Sequence, residues 1–224
     1  EAAMVQGPYL LIGAVVLVWA LLIVITRFPK VAVERAEGEN LGQKGDFGRL
    51  LANRNYVMGV VAQFFYVGAQ VGVWSFMIRY AQQAVPGMGE KIAASYLFWS
   101  IVGFAAGRFV GTALMGKIRA DRLMLIYGLI NAALCLVAVA FGRGHLGLYA
   151  LAATSFFMSI MFPTIFAVAL RGLGPLAKLG SSFLIMSIIA GALMPMLMGY
   201  ISDVTGSMAY AIIVPAIVAR SPSF

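Results

Sequence analysis

The stretch YVMGVVAQFFYVGAQVGVWSFMIRY, Tyr56 to Tyr80, carries one charge, Arg79, and that charge stands next to its end. A helix needs roughly 20 mainly apolar residues to cross a bilayer, and this run exceeds that length. Six further apolar runs accompany it: Pro8 to Phe28, Ile92 to Met115, Leu123 to Phe141, Leu146 to Leu170, Phe183 to Tyr200 and Met208 to Ala219, the last clearly short. Hydrophobic residues make up 62% of the chain and the mean hydropathy is +0.94. A soluble domain of this size must cover itself with far more polar side chain, so the solvent implied is lipid. Lipid-exposed backbone has to satisfy its own hydrogen bonds, and runs this long and continuous are not barrel strands. The sequence predicts an all-α polytopic membrane protein with seven transmembrane helices.

The cations are distributed unevenly between the gaps. Arg27, Lys30, Arg35, Lys44, Arg49, Arg54, Arg108, Lys117, Arg119, Arg122, Arg171, Lys178 and Arg220 fall to one side, and only Arg79, Lys91 and Arg143 to the other. By the positive-inside rule the first group is cytoplasmic. The net charge of +8 then follows from topology and attraction to anionic lipid, so no nucleic-acid partner is expected.

The longest gap, Pro29 to Asn55, is rich in Gly and in both charge signs, as befits a linker between helical bundles. Its end, Phe47 to Tyr56, reads as a short amphipathic helix on the cytoplasmic face. Three parts are expected: residues 1–28 as the last helix of an N-terminal bundle, 29–55 as a cytoplasmic central loop, and 56–224 as a second bundle truncated in its last helix. Both ends read as cuts, and the first run has no charged n-region or cleavage site of a signal peptide. Cys135, alone in an apolar run, is expected to pack and do no more.

Polar residues inside spans are where function concentrates. Gln63, Tyr66, Gln70 and Trp74 step by three, four and four and therefore share one helical face. Two carboxamides and a phenol offer donors and acceptors for hydroxyl groups, and an indole lies well against the apolar face of a sugar ring. The competing reading is that the amides join helix to helix. Gly68 with Gly72, and Gly103, Gly107 and Gly111, mark close helix packing. Ser187, Gly191, Pro195 and Gly199 recur every four residues, and Pro163 interrupts the fifth run, so kinks are expected at Pro163 and Pro195.

Other chemistries fail on particular residues. Gly111 to Lys117 matches most of a phosphate-binding loop, but Ile118 stands where Ser or Thr would hold magnesium and an apolar helix precedes it. No span buries a lysine for a retinal Schiff base, and His145 has no partner in its outer turn. Glu1, Glu34, Glu37, Glu39, Asp46, Glu90, Asp121 and Asp203 all lie at or beyond span ends, so no carboxylate for proton coupling is found within a span. No enzyme, cofactor or metal is expected.

The run Gln63-Phe-Phe-Tyr-Val-Gly-Ala-Gln70, continuing through Trp74-Ser-Phe-Met-Ile-Arg-Tyr80, closely resembles the seventh helix of the L-fucose permease group. These are the fucose/galactose/glucose proton symporters of the major facilitator superfamily. Val85-Pro-Gly-Met88, Gly107-Arg-Phe-Val-Gly-Thr112, Phe157-Met-Ser-Ile-Met-Phe-Pro-Thr-Ile-Phe166 and Gly180-Ser-Ser-Phe183 extend the resemblance over nearly the whole chain. It implies helix six, the central loop and the C-terminal six-helix bundle of a twelve-helix carrier, with binding near midplane between two halves and alternating access. It also implies that Trp74, Phe104 and Phe162 line the C-terminal side of the sugar cavity, with Phe162 standing where a Tyr is expected. The coupling carboxylates would belong to the N-terminal bundle. The loop Gly116-Lys-Ile-Arg-Ala-Asp-Arg122 matches the superfamily's charged inter-helix motif loosely; Lys117, Arg119, Asp121 and Arg122, with Arg108, are expected to brace a gate or simply to fix topology. The expected function is proton-coupled import of a monosaccharide across a bacterial inner membrane, the partners being the sugar, the proton, the bilayer and the N-terminal bundle. A membrane sugar sensor of the same fold is the alternative, and a channel a weaker one, since no filter residues are visible.

Overall fold

The structure is a computed structural model and describes residues 2–26 and 45–212. The chain divides into two compact units, residues 1–40 and 41–224. The first contains α1, Ala2–Ile25, whose most apolar stretch is Gly13–Ile25.

The second unit holds α2 (Asp46–Ala52), α3 (Arg54–Ala84), α4 (Glu90–Met115), α5 (Ala120–Ala140), α6 (His145–Met158), α7 (Met161–Leu170), α8 (Ala177–Met186), α9 (Ala190–Thr205) and α10 (Met208–Ala211), with 3₁₀ turns at Gly174–Leu176 and Ser187–Ile189. Five helical spans are long and apolar enough to cross a membrane: Arg54–Ala84, Glu90–Met115, Ala120–Ala140, His145–Leu170 and Gly174–Thr205. Their order is that of the second to sixth runs of the sequence. Of the short seventh run, Met208 to Ala211 is helical, and residues 213–219 lie outside the described residues, as does most of the 29–55 linker. The short linker helix is real but ends at Ala52, because Asn53 takes an extended backbone there. Asn53 then caps α3, its side chain accepting from the Tyr56 N–H at 3.1 Å, so the span begins two residues before Tyr56.

At 31 residues, α3 is the axis of the unit, packing on α4, α6, α7 and α9. The main core gathers Val67, Val73, Met77, Tyr80, Leu148, Leu151, Ile165 and Met198 around it, and a smaller cluster of Leu50, Tyr56, Ala169, Leu173 and Leu184 closes the α2 end. Small residues decide the closest approaches. A Cβ on Gly68 would strike Met194 and one on Gly72 would strike Met198, both on α9; in return Gly191 of α9 lies against Val71 of α3. Glycine facing a bulky side chain in both directions brings the backbones together where lipid supplies no hydrophobic drive. Gly107 and Gly111 of α4 likewise meet Phe156 and Ile160, whereas Gly103 meets nothing within 4 Å, so the expected third member of that series is not a packing glycine.

Apolar side chains on α4, α5 and α9, including Trp99, Phe109, Leu129, Leu136, Met196 and Tyr200, are exposed. At the end of α9, Gly206 adopts φ 66°, the left-handed conformation that caps a helix at low cost only for glycine.

The two prolines stand differently: Pro163 just after an interruption of its span, Pro195 within an uninterrupted helix. The fifth run breaks at Ser159 and Ile160, so Pro163 sits in the first turn of α7. A proline there removes the helical donor for the carbonyl four residues earlier, which puts the defect N-terminal to the ring itself. In the sixth run the tightened turn is Ser187–Ile189, while Pro195 lies inside the continuous α9.

Candidate functional site

The break between α6 and α7 gathers polar contacts from two other helices. Two successive carbonyls there accept hydrogen bonds from other helices. Tyr66 of α3 donates its hydroxyl to the Met158 carbonyl at 2.8 Å, and Arg108 of α4 donates Nε–H to the Ser159 carbonyl at 3.4 Å. One turn earlier, the Trp74 indole N–H donates to Ser155 Oγ at 3.0 Å, and Ser155 Oγ is in turn 2.6 Å from Ser100 Oγ of α4. The Tyr66–Met158 and Ser155–Ser100 bonds are buried, so each lets a polar group keep a partner where losing one costs most, while the Trp74 and Arg108 bonds are part-buried.

Aromatic rings complete the same region. Trp74 meets Phe104 edge to face with centroids 5.1 Å apart, and the Arg108 guanidinium lies over the Phe104 ring at 5.1 Å. Tyr66 and Phe162 are tilted at 6.5 Å, and Phe162 stacks on Phe166 at 6.4 Å. Thus Tyr66, Trp74, Phe104 and Phe162, residues from three different helices, come together around one helix break.

The four-residue stripe of α3 is turned into the bundle. Gln63 and Tyr66 are buried, and Gln70 and Trp74 are half-buried. Gln63 has both the donor and acceptor atoms of its amide without a hydrogen-bond partner at 0% exposure. Tyr66 and Trp74 have already committed their N–H or O–H to α6, so what they retain for a ligand is ring surface and, for Tyr66, an acceptor lone pair.

The remaining expected residues lie elsewhere. Arg108, grouped in the sequence reading with loop cations, sits inside α4, seven residues before Met115. Lys117 and Arg119 lie between α4 and α5, with Asp121 and Arg122 in the first turn of α5, and all four are exposed. Arg119 grips Asp121 through two bonds of 3.2 and 2.8 Å. Solvent screens such a pair, so it shapes the turn more than it stabilises the protein. Pro195 is remote in sequence from the break, and Pro163 stands just after it in the first turn of α7.

Sequence reasoning missed Ser100, Ser155, Ser159 and Asn131. All four lie in apolar spans, and Asn131 is buried with its Oδ1 unpartnered and its Nδ2 3.6 Å from Met161 Sδ. Their position in an apolar run was a usable signal. A second feature lies away from the break: a cleft of about 830 Å³ at the far ends of α3, α5 and α9, lined by Gln83, Phe141, Arg143, Thr205 and Tyr210 among others, and holding none of the expected site residues. Among the described residues no group of three His, Cys, Asp or Glu is placed to hold a metal.

No protein-family model matches the chain. The fold superposes with a TM-score of 0.85 on the crystal structure of FucP, a major facilitator superfamily transporter in the outward conformation, at 42% identity over 96% of this chain and 52% of that one. In sequence it is 43% identical over 214 residues to the L-fucose-proton symporter of Escherichia coli K12, covering 95% of this chain and 49% of that protein. It is 34% identical over 207 residues to the glucose/galactose transporter of Brucella abortus biovar 1 (strain 9-941), covering 92% and 49%. The fold matches that of a major facilitator superfamily transporter, and its five long apolar helical spans are those of a multi-pass membrane protein. Within that superfamily the chain is a homologue of the L-fucose-proton symporters, and it spans about half the length of the curated relatives it matches. Those relatives are transporters, not enzymes.

Proposed function

We propose that this chain forms the C-terminal bundle, with the preceding helix and central loop, of a proton-coupled monosaccharide importer that works by alternating access. On this reading residues 1–28 are the last helix of an N-terminal bundle, residues 29–55 are a cytoplasmic loop, and the membrane is a bacterial inner membrane. The cation asymmetry between gaps supports that orientation. Sugar hydroxyls exchange hydrogen bonds with Gln63, Tyr66 and Gln70, while Trp74, Phe104 and Phe162 present ring surface to the sugar. The charged group between α4 and α5, Lys117, Arg119, Asp121 and Arg122, braces the cytoplasmic gate.

The observation that carries the proposal is the gathering of Tyr66, Trp74, Phe104 and Phe162 at a helix break that has a proline in its first turn. Broken helices at membrane depth are where carriers of this architecture place a ligand. The relatives, of which this chain spans about half, carry L-fucose or glucose and galactose in their names, which supports the ligand class, L-fucose, galactose or glucose. Described carboxylates all stand at or near helix ends, so the coupling proton is assigned to the N-terminal bundle of the same polypeptide. Counterflow of labelled L-fucose, galactose and glucose in vesicles carrying both bundles tests the proposal. Exchange of at least one of the three sugars is expected, and binding without any flux would overturn transport in favour of sensing.

A further inference from the structure

We propose that Arg108 is a positioning residue whose guanidinium replaces the hydrogen bond that Pro163 takes away from the Ser159 carbonyl, and so holds the α6–α7 break in one geometry. In an unbroken helix the N–H of residue 163 would donate to the carbonyl of residue 159, and proline has no N–H to give. Of the carbonyls around that of Ser159, Phe156 accepts from the Ser159 N–H at 3.4 Å and Ile160 from the Thr164 N–H at 3.2 Å, while Met158 accepts the Tyr66 hydroxyl at 2.8 Å. The carbonyl that proline leaves without a helical donor is the one that Arg108 reaches.

The approach is built into α4. A Cβ on Gly107 would collide with the Phe156 carbonyl and one on Gly111 with Ile160, so the backbone of α4 lies directly on the break and Arg108, between those two glycines, reaches across it. The same guanidinium lies over Phe104 at 5.1 Å, which ties the ring and the break to one cation. An arginine inside a span is costly, and this one is accounted for by two attachments that no apolar residue could make.

The test is a double-mutant cycle read by hydrogen–deuterium exchange in the full-length protein, without sugar. Arg108→Gln should speed exchange of the amides in residues 159–166 by roughly tenfold, the scale of one charge-assisted hydrogen bond. Pro163→Ala restores an N–H for the Ser159 carbonyl, so in that background Arg108→Gln should change exchange by less than about threefold. Amides of α5 serve as the control for intact folding. Equal effects of Arg108→Gln in both backgrounds would overturn the assignment, as would no effect in either. Should Arg108→Gln alone fail to fold, recovery of folded protein in the double variant is the expected result, and failure of both overturns it. The measurement needs no sugar, so a protein that moved none would leave the result intact.

Discussion

Trp74 donates its indole N–H to the hydroxyl of Ser155, 81 residues later in the chain, at 3.0 Å. That bond crosses from α3 to α6 and continues to Ser100 on α4, so three helices are tied by one indole and two hydroxyls. Ser155→Ala leaves the indole N–H without its acceptor in a buried setting. A loss of about 1–3 kcal/mol is expected, read as a lower thermal midpoint in detergent, and an unchanged midpoint would mean the bond contributes nothing.

Trp74→Phe separates the two uses of that side chain. It keeps an aromatic ring against Phe104 and removes the donor, so most sugar affinity should remain if the ring is what meets the ligand. Trp74→Ala should weaken sugar binding by about 1 kcal/mol. Equal affinities for the Phe and Ala variants, measured by titration calorimetry, would take the indole out of the binding surface.

Gln63 is fully buried and its amide has no partner. Leu at this position fills similar volume and removes the unsatisfied group, so Gln63→Leu should stabilise the protein by about 1–3 kcal/mol while reducing sugar counterflow. A residue that lowers stability and raises activity is the expected signature of a functional site. Destabilisation on substitution would show that the amide is part of the packing.

The glycines of α3 and α4 make a graded prediction. Gly72→Ala puts a methyl group into Met198, so overpacking should cost about 1–3 kcal/mol. Gly103→Ala meets open space and should be neutral or slightly stabilising, since alanine favours the helix by about 1 kcal/mol over glycine. Reversed order in thermal unfolding of the two variants would contradict the α3–α9 seam.

Much of the architecture was legible from local composition alone. Apolar runs the length of a bilayer announce helices because lipid leaves the backbone no other way to satisfy itself. The order of the spans and the short helix before α3 follow from hydropathy along the chain, and the shared face of Gln63, Tyr66, Gln70 and Trp74 follows from counting along one helix. Resemblance in the runs around Gln63, Arg108 and Pro163 pointed to the same superfamily that the superposition supports.

What counting could not provide was the partner of each group. Arg108 looked like one more topology-setting cation because a linear pattern cannot tell that Pro163, 55 positions later, strips a donor from a carbonyl within its reach. Gly103 looked like Gly107 because spacing says which face a residue occupies and nothing about what stands opposite. Hydropathy and periodicity are properties of one segment in its solvent, so the chain order contained them in full. Hydrogen bonds such as Tyr66 to Met158, and the pairing of Trp74 with Phe104, exist only after helices distant in sequence are packed, when short-range forces select which atoms meet.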